Sequence, residues 1–179
     1  MKLYQEFLLG QDDKVIKEVN VAGAVIVKNN EEGKQSVLLI KRAPDDHWPS
    51  VFEFPRGKCD KGDKNKLDEC LKREVKEETG LKVEIQEYID KYEYIADHGL
   101  RKSTQYNYLC KLDSPNQEIK LSKEHSEYKW VYSLGEIELL VPSEMKKTIS
   151  HVLNLDQKIV NYPKTKEVIE ETQKKWLKN

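Results

Sequence analysis

Phe54 to Leu81, FPRGKCDKGDKNKLDECLKREVKEETGL, is the stretch whose reading decides the fold. It opens on an extended segment, crosses a glycine-bearing loop and then takes up helical spacing as far as Gly80. A glycine suits the position just past a helix end. At about 100° per residue, a helix from about Lys64 to Thr79 gathers Leu67, Cys70, Leu71 and Val75 on one apolar arc, the face expected to pack on a core. Glu74 and Glu78 project into the middle of that arc, and Glu77 stands near its edge. Lys72, Lys76 and Glu69 lie opposite, where a solvated charged face belongs.

Carboxylates aimed at a core-facing stripe are costly unless something neutralises them. Arginine and lysine can do so, and so can a divalent cation such as Mg²⁺, which takes one or two carboxylates plus substrate phosphates. A salt-bridged helix is the commoner outcome for a sequence rich in EExxK pairs. The wheel alone leaves both readings open.

The residue pattern is narrower than the wheel. Gly57, followed by Arg73-Glu74-Val75-Lys76-Glu77-Glu78-Thr79-Gly80-Leu81, closely resembles the Nudix box, G-x5-E-x7-R-E-U-x-E-E-x-G-U, with U a bulky aliphatic residue. The second half matches at every specified position. The first half departs: the loop acid is Asp63, and nine residues (Lys64 to Lys72) separate it from Arg73 where the pattern has seven. The strict spacing falls on Asn65. We read a two-residue insertion in the loop or first helical turn that leaves the later acids in register.

The resemblance implies an α/β class protein with the Nudix fold, a mixed β-sheet in an α/β/α sandwich. It implies Mg²⁺ or Mn²⁺ held by Glu74, Glu78 and Glu77, with the backbone carbonyl of Arg56 as a further ligand. Arg73 would orient the box carboxylates through a salt bridge. Downstream, Leu121-Ser122-Lys123-Glu124-His125-Ser126-Glu127-Tyr128-Lys129-Trp130 follows an LSxEHxxYxW pattern similar to one in the asymmetric dinucleoside-tetraphosphate hydrolases. That likeness makes Glu124, ahead of Glu127, a metal ligand or the general base. Upstream, the run from Lys41 to His47 and on to Pro55 is similar in spacing to the mutator-type triphosphate pyrophosphohydrolases. FPRGK, however, is closer to the FPKGK of decapping and dinucleoside-polyphosphate enzymes. Arg56 and Lys58 could hold a longer phosphate chain, and Arg42 is a stronger phosphate candidate than His47. Tyr92, Tyr94 and Tyr106 could stack on a base, with Tyr94 taken as substrate-binding, although period-two tyrosines are more often plain sheet residues.

Length and composition agree with one domain: 179 residues, 37% hydrophobic and 35% charged. A net charge of -1 shows no basic footprint for nucleic acid or an anionic membrane. Three cysteines, Cys59, Cys70 and Cys110, without CxxC spacing suggest reduced thiols and a cytoplasmic setting. No apolar run resembles a signal peptide or a bilayer span.

Outside the box, Lys2–Leu9 reads as an edge strand, and Val19–Val27 with Ser36–Lys41 as a hairpin around an Asn-Asn-Glu-Glu-Gly loop. Lys82–Ile95 and Thr104–Leu112 alternate about a turn at Asp97-His98-Gly99. Glu127–Tyr132 is a last strand and Ser143–Leu153 a helix. The domain is placed at residues 1–157, with 158–179 as an extra C-terminal helix packed on the domain or on a second copy in a homodimer.

The expected function is cleavage of a phosphoanhydride in a nucleoside diphosphate linked to another moiety, first a dinucleoside polyphosphate such as diadenosine tetraphosphate. Nucleoside triphosphates rank second and an RNA cap third. A Nudix-fold binding module without catalysis is the alternative of another class. The expected partner is a nucleotide substrate, with no membrane and no DNA.

Overall fold

The computed structural model describes residues 17–46, 49–59, 67–136 and 141–153. The edge strand expected at Lys2–Leu9, His47, the loop acid Asp63 with the insertion beside it, and the C-terminal helix expected at 158–179 all lie outside the described residues.

The described strands are β1 (Lys17–Asn29), β2 (Gln35–Arg42), β3 (Phe52–Glu53), β4 (Arg56–Lys58), β5 (Val83–Ala96), β6 (Arg101–Leu112) and β7 (His125–Val131). The described helices are α1 (Leu67–Thr79) and α2 (Ser143–Leu153). The strands form one mixed sheet in the order β3-β2-β1-β6-β5, with β4 also paired to β1 and β7 to β2.

β1 is the hub, because its apolar run VAGAVIV alternates between two cores. Ala22, Ala24 and Ile26 face one core with Leu67, Cys70, Leu71 and Val75 of α1. Val25 and Val27 face the other with Met145, Ile149 and Val152 of α2. The two helices therefore cover opposite faces of the sheet, giving the expected α/β/α sandwich.

The β1–β2 hairpin forms as predicted. Asn30 Oδ1 accepts the amides of Glu32 (3.1 Å) and Lys34 (2.8 Å), and Gly33 takes φ +79°. β1 also runs parallel to β6, from Lys17↔Arg101 to Val27↔Lys111. Short-range periodicity carries no signal for that pairing. In β5, register shifts between Ile85 and Glu87 and between Tyr88 and Asp90 interrupt the strict alternation. Ile85 and Tyr88 consequently pack on the α1 side, whereas Ile89 packs on the α2 side.

α1 is unbroken from Leu67 to Thr79 and stops at Gly80 (φ +72°), whose amide donates to the Lys76 carbonyl at 3.0 Å. The predicted apolar arc is the buried one.

One expectation fails. Cys59 and Cys70 form a disulfide with Cα atoms 5.4 Å apart, and Cys110 alone of the three is free. Their separation of 11 residues hides the proximity. It arises because Cys59 just past β4 and the first turn of α1 pack into the same core. The cysteine pattern is therefore no argument for a reducing compartment. Among the described residues no helix is long and apolar enough to cross a membrane.

Candidate active site

Beside β4 the chain narrows to Phe54-Pro55-Arg56-Gly57, which lies under the last turns of α1. A Cβ on Gly57 would stand 1.8 Å from Glu74 Cδ, so only glycine lets β4 approach this carboxylate so closely. The Arg56 amide donates to Glu78 Oε2 at 2.9 Å. Glu78 is 8% exposed. Burial first, then the charges of Glu53 and Glu74, push its carboxyl up to about 9 against the pull of the Arg56 amide and guanidinium.

Glu53, 2% exposed, is the hub of the buried charges. Arg42 Nη1 donates to it at 2.6 Å and Arg56 Nε at 2.7 Å, while His125 Nε2 stands 3.6 Å away. Burial alone would raise this carboxyl, yet Arg56, His125 and Arg42 hold it down at about 2. His125 Nε2 also lies 3.9 Å from Glu78 Oε1, and its Nδ1 is 3.2 Å from Ser122 Oγ.

Arg56 continues the network inward. Its Nη1 reaches the Tyr94 hydroxyl and donates to Gln105 Oε1 at 3.1 Å. Gln105 Nε2 donates to Asn107 Oδ1 (2.8 Å), and Asn107 Nδ2 donates to Asp90 Oδ1 (2.7 Å). Thr148 of α2 donates to Asp90 Oδ2 at 2.7 Å. Gly23 makes room for this row, since a Cβ there would meet Asn107 Oδ1 at 2.6 Å. Arg56 is thus fixed from both ends, and burial is outweighed by Glu53 so that its charge is favoured.

Two adjoining cavities share Arg42, Arg56 and Tyr94. One, of about 420 Å³, is also lined by Lys58, Glu74, Glu78, Glu124, Asp97 and Arg101. The other, of about 400 Å³, is mostly apolar, and Tyr92, Ile95, Val141 and Met145 supply its walls. The Arg56 guanidinium carbon lies 5.3 Å from the centre of the Tyr94 ring, at the boundary between the two.

The sequence-predicted residues divide accordingly. Glu74, Glu78, Glu124, Arg56, Lys58, Arg42 and Tyr94 come together around the charged cavity. Glu77 does not line it: its side chain is 59% exposed and pairs with Arg73 at 3.1 Å. Arg73 also pairs with Glu74 at 2.8 Å and reaches the Lys58 carbonyl at 3.4 Å. Arg42, expected to face phosphate, is bidentate on Asp46 (2.9 and 2.7 Å) as well as bonded to Glu53. Glu124 is exposed in the turn before β7, and its carbonyl accepts the Ala43 amide at 2.8 Å. Glu127 instead pairs with Lys41 at 3.1 Å, away from the site. Tyr92 and Tyr94 share a face on the apolar cavity, whereas Tyr106 packs on the α1 side.

Glu53, Asp46, Gln105 and Asn107 were missed by sequence reasoning. For Glu53, Gln105 and Asn107 the available signal was an acid or amide inside a strand, since buried polar groups require partners; Asp46 lies in the turn after β2.

Whether these residues suit a divalent cation can be judged from the charges. Among the described residues no three acidic, histidine or cysteine side chains form a ready cage. Mg²⁺ does not need one, being commonly held by one or two carboxylates with substrate phosphates. Buried Glu78, crowded by Glu74 and Glu53, keeps a proton where a cation would let it ionise. The donor set fits.

Comparisons with known proteins agree with this geometry. The NUDIX domain pattern matches residues 19–152. A mouse asymmetrical bis(5'-nucleosyl)-tetraphosphatase is 32% identical over 105 residues, 58% of this chain and 67% of that protein. An Ap4A hydrolase from C. elegans, solved as a binary complex, superposes with a TM-score of 0.66 at 24% identity, covering 78% of this chain and 98% of that one. A MutT protein from Methanosarcina mazei Go1 gives 0.61 at 23% identity, covering 83% and 99%. With Glu74 and Glu78 held against β4 and the domain pattern matching residues 19–152, the chain belongs to the Nudix family and is a pyrophosphohydrolase.

Proposed function

We propose that this enzyme hydrolyses a phosphoanhydride in a nucleotide with an extended phosphate chain, a dinucleoside polyphosphate such as diadenosine tetraphosphate being the first choice. The observation that carries the reading is the pair of adjoining cavities. A charged one walled by carboxylates and cations suits phosphates, and an apolar one with two tyrosines suits a nucleoside. The mouse relative, a tetraphosphatase, supports the same choice.

Glu74 and Glu78, helped by Glu124 and the Arg56 carbonyl, would hold Mg²⁺ or Mn²⁺. The cation would supply charge neutralisation at phosphate oxygens. Glu77 would act from outside the cavity, through Arg73. Arg73 fixes Glu74 by their ion pair. Arg56 and Lys58 offset the negative charge of the phosphate chain. Glu124, exposed to solvent at the cavity wall, accepts the proton of the attacking water as its oxygen bonds to phosphorus and the bridging P–O bond breaks. Tyr92 and Tyr94 offer aromatic faces to the nucleoside.

The test is a nucleotide panel with Mg²⁺ or Mn²⁺ and product identification. Diadenosine tetraphosphate should be cleaved to ATP and AMP with a higher kcat/KM than ATP or a deoxynucleoside triphosphate. Cleavage of triphosphates alone would replace this substrate with the mutator-type one. Binding without turnover of anything on the panel would leave only the nucleotide-binding module.

A further inference from the structure

Most of the guanidinium capacity around the charged cavity is already used. Arg42 bonds to Asp46 and Glu53, and Arg56 to Glu53, Tyr94 and Gln105. Arg101 differs. It opens β6 at the tip of the β5–β6 hairpin, lines the same cavity as Glu74 and Glu78, and is 14% exposed at its side chain. Its Nε and Nη1 are buried without a hydrogen-bond partner among the described residues. Its charge partner is Asp97, whose Oδ2 lies 3.4 Å from Nε as an ion pair without a hydrogen bond, and whose carboxylate is 53% exposed. Two residues along the strand, on the same face, Ser103 Oγ is fully buried and equally without a partner. Gln105, next in that row, bonds to Arg56. Buried donors without acceptors are costly, and this run of them ends in the cavity that holds the carboxylates.

We propose that Arg101 is an anion subsite that grips an outer phosphate of the substrate chain, with Asp97 as the internal anion that phosphate displaces. The inference rests on the reading of an extended-phosphate substrate. A phosphate offers a guanidinium two parallel acceptors, which an off-line carboxylate at 3.4 Å does not. The same cavity is lined by the box carboxylates Glu74 and Glu78, so a phosphate chain that reached them could extend toward Arg101. Length of the chain, and no feature of the base, would then be what Arg101 reads.

Inorganic polyphosphates test this without turnover. Binding of tripolyphosphate and of pyrophosphate is measured by calorimetry on the full chain, in chelator at one ionic strength. Arg101→Gln should weaken tripolyphosphate about tenfold or more and pyrophosphate far less, as expected for one charged hydrogen-bonding group. Asp97→Asn should tighten tripolyphosphate by a few-fold, and the gain should vanish when combined with Arg101→Gln. Thermal melts report folding, and Arg101→Lys, which keeps the charge without the fork, should fall between wild type and Arg101→Gln. Equal affinities in wild type and a folded Arg101→Gln protein, equal losses for both anions, or no tripolyphosphate binding by the wild type would each overturn the subsite. A wild type that binds tripolyphosphate through Arg101 yet cleaves no polyphosphate nucleotide would support the subsite and remove the substrate reading.

Discussion

At Glu78 a carboxyl 8% exposed has Glu53 and Glu74 as neighbours and the Arg56 backbone amide as a hydrogen-bond donor. Its pKa is raised from 4.5 to about 9, chiefly by burial, so the folded chain holds a proton there that the unfolded chain has lost above pH 4.5. Stability from this group is complete below 4.5 and falls as pH rises toward 9. Glu53, held at about 2, works the other way, and its share is lost only as pH drops below its unfolded value. Melts of the wild type in chelator should therefore give a lower Tm at pH 8.5 than at pH 6, and Glu78→Gln should flatten that slope. A cation competes with the proton, so the Tm gain from added Mg²⁺ should grow over the same interval. Glu78→Gln should also cut kcat by about a hundredfold or more if several kcal/mol of transition-state stabilisation pass through the site. A Glu78→Gln protein that melts early with undiminished kcat would assign Glu78 to structure alone.

The element that presents these acids is α1 with the β4 strand beneath it. Gly57→Ala should be tolerated for folding, because the Cβ would meet the far end of a glutamate side chain, which can swing away. The displaced group is Glu74, so we expect kcat to fall at least about tenfold with the Tm nearly unchanged. A Gly57→Ala enzyme with wild-type kcat would show that Glu74 need not sit where it does. The Cys59–Cys70 disulfide ties the residue after β4 to α1 across a sequence separation of 11. A closed loop of that size contributes about 2–3 kcal/mol in the chain-entropy account. Adding dithiothreitol should lower the Tm by several degrees, and the double variant Cys59→Ala, Cys70→Ala should melt low with or without reductant. An unchanged Tm under reductant would show that the bond adds nothing to stability.

Across the whole molecule the sheet divides two cores, and the apolar cavity is lined by Met145 of α2 and by Val141 and Pro142 just before it. Ile149, fully buried in the α2 core but outside the cavity, is the cleaner probe of the sandwich: Ile149→Ala should cost about 2–5 kcal/mol of stability in denaturant unfolding. If it leaves the midpoint unmoved, α2 does not anchor that face. Periodicity foretold Ser143–Leu153 as a helix because its apolar side recurs locally, and likewise the β1–β2 hairpin, since Asn30 and Gly33 set its turn within the chain itself. The box acids were legible for the same reason: Glu74 and Glu78 stand four residues apart, one helical turn, so their shared side is a property of the chain alone. Everything needing two distant segments stayed hidden. The approach of His125 to Glu53, the Asp90–Thr148 bond, the parallel β1–β6 pairing and the Cys59–Cys70 bond each join residues outside any shared turn or hairpin spacing. Such contacts follow from which faces the two cores bury, and no local spacing encodes that choice. Sequence by itself determined which side chains share a helix face or the face of an unshifted strand. Tertiary structure alone decided what those faces meet, because burial and charge pairing are settled only when separate elements pack together.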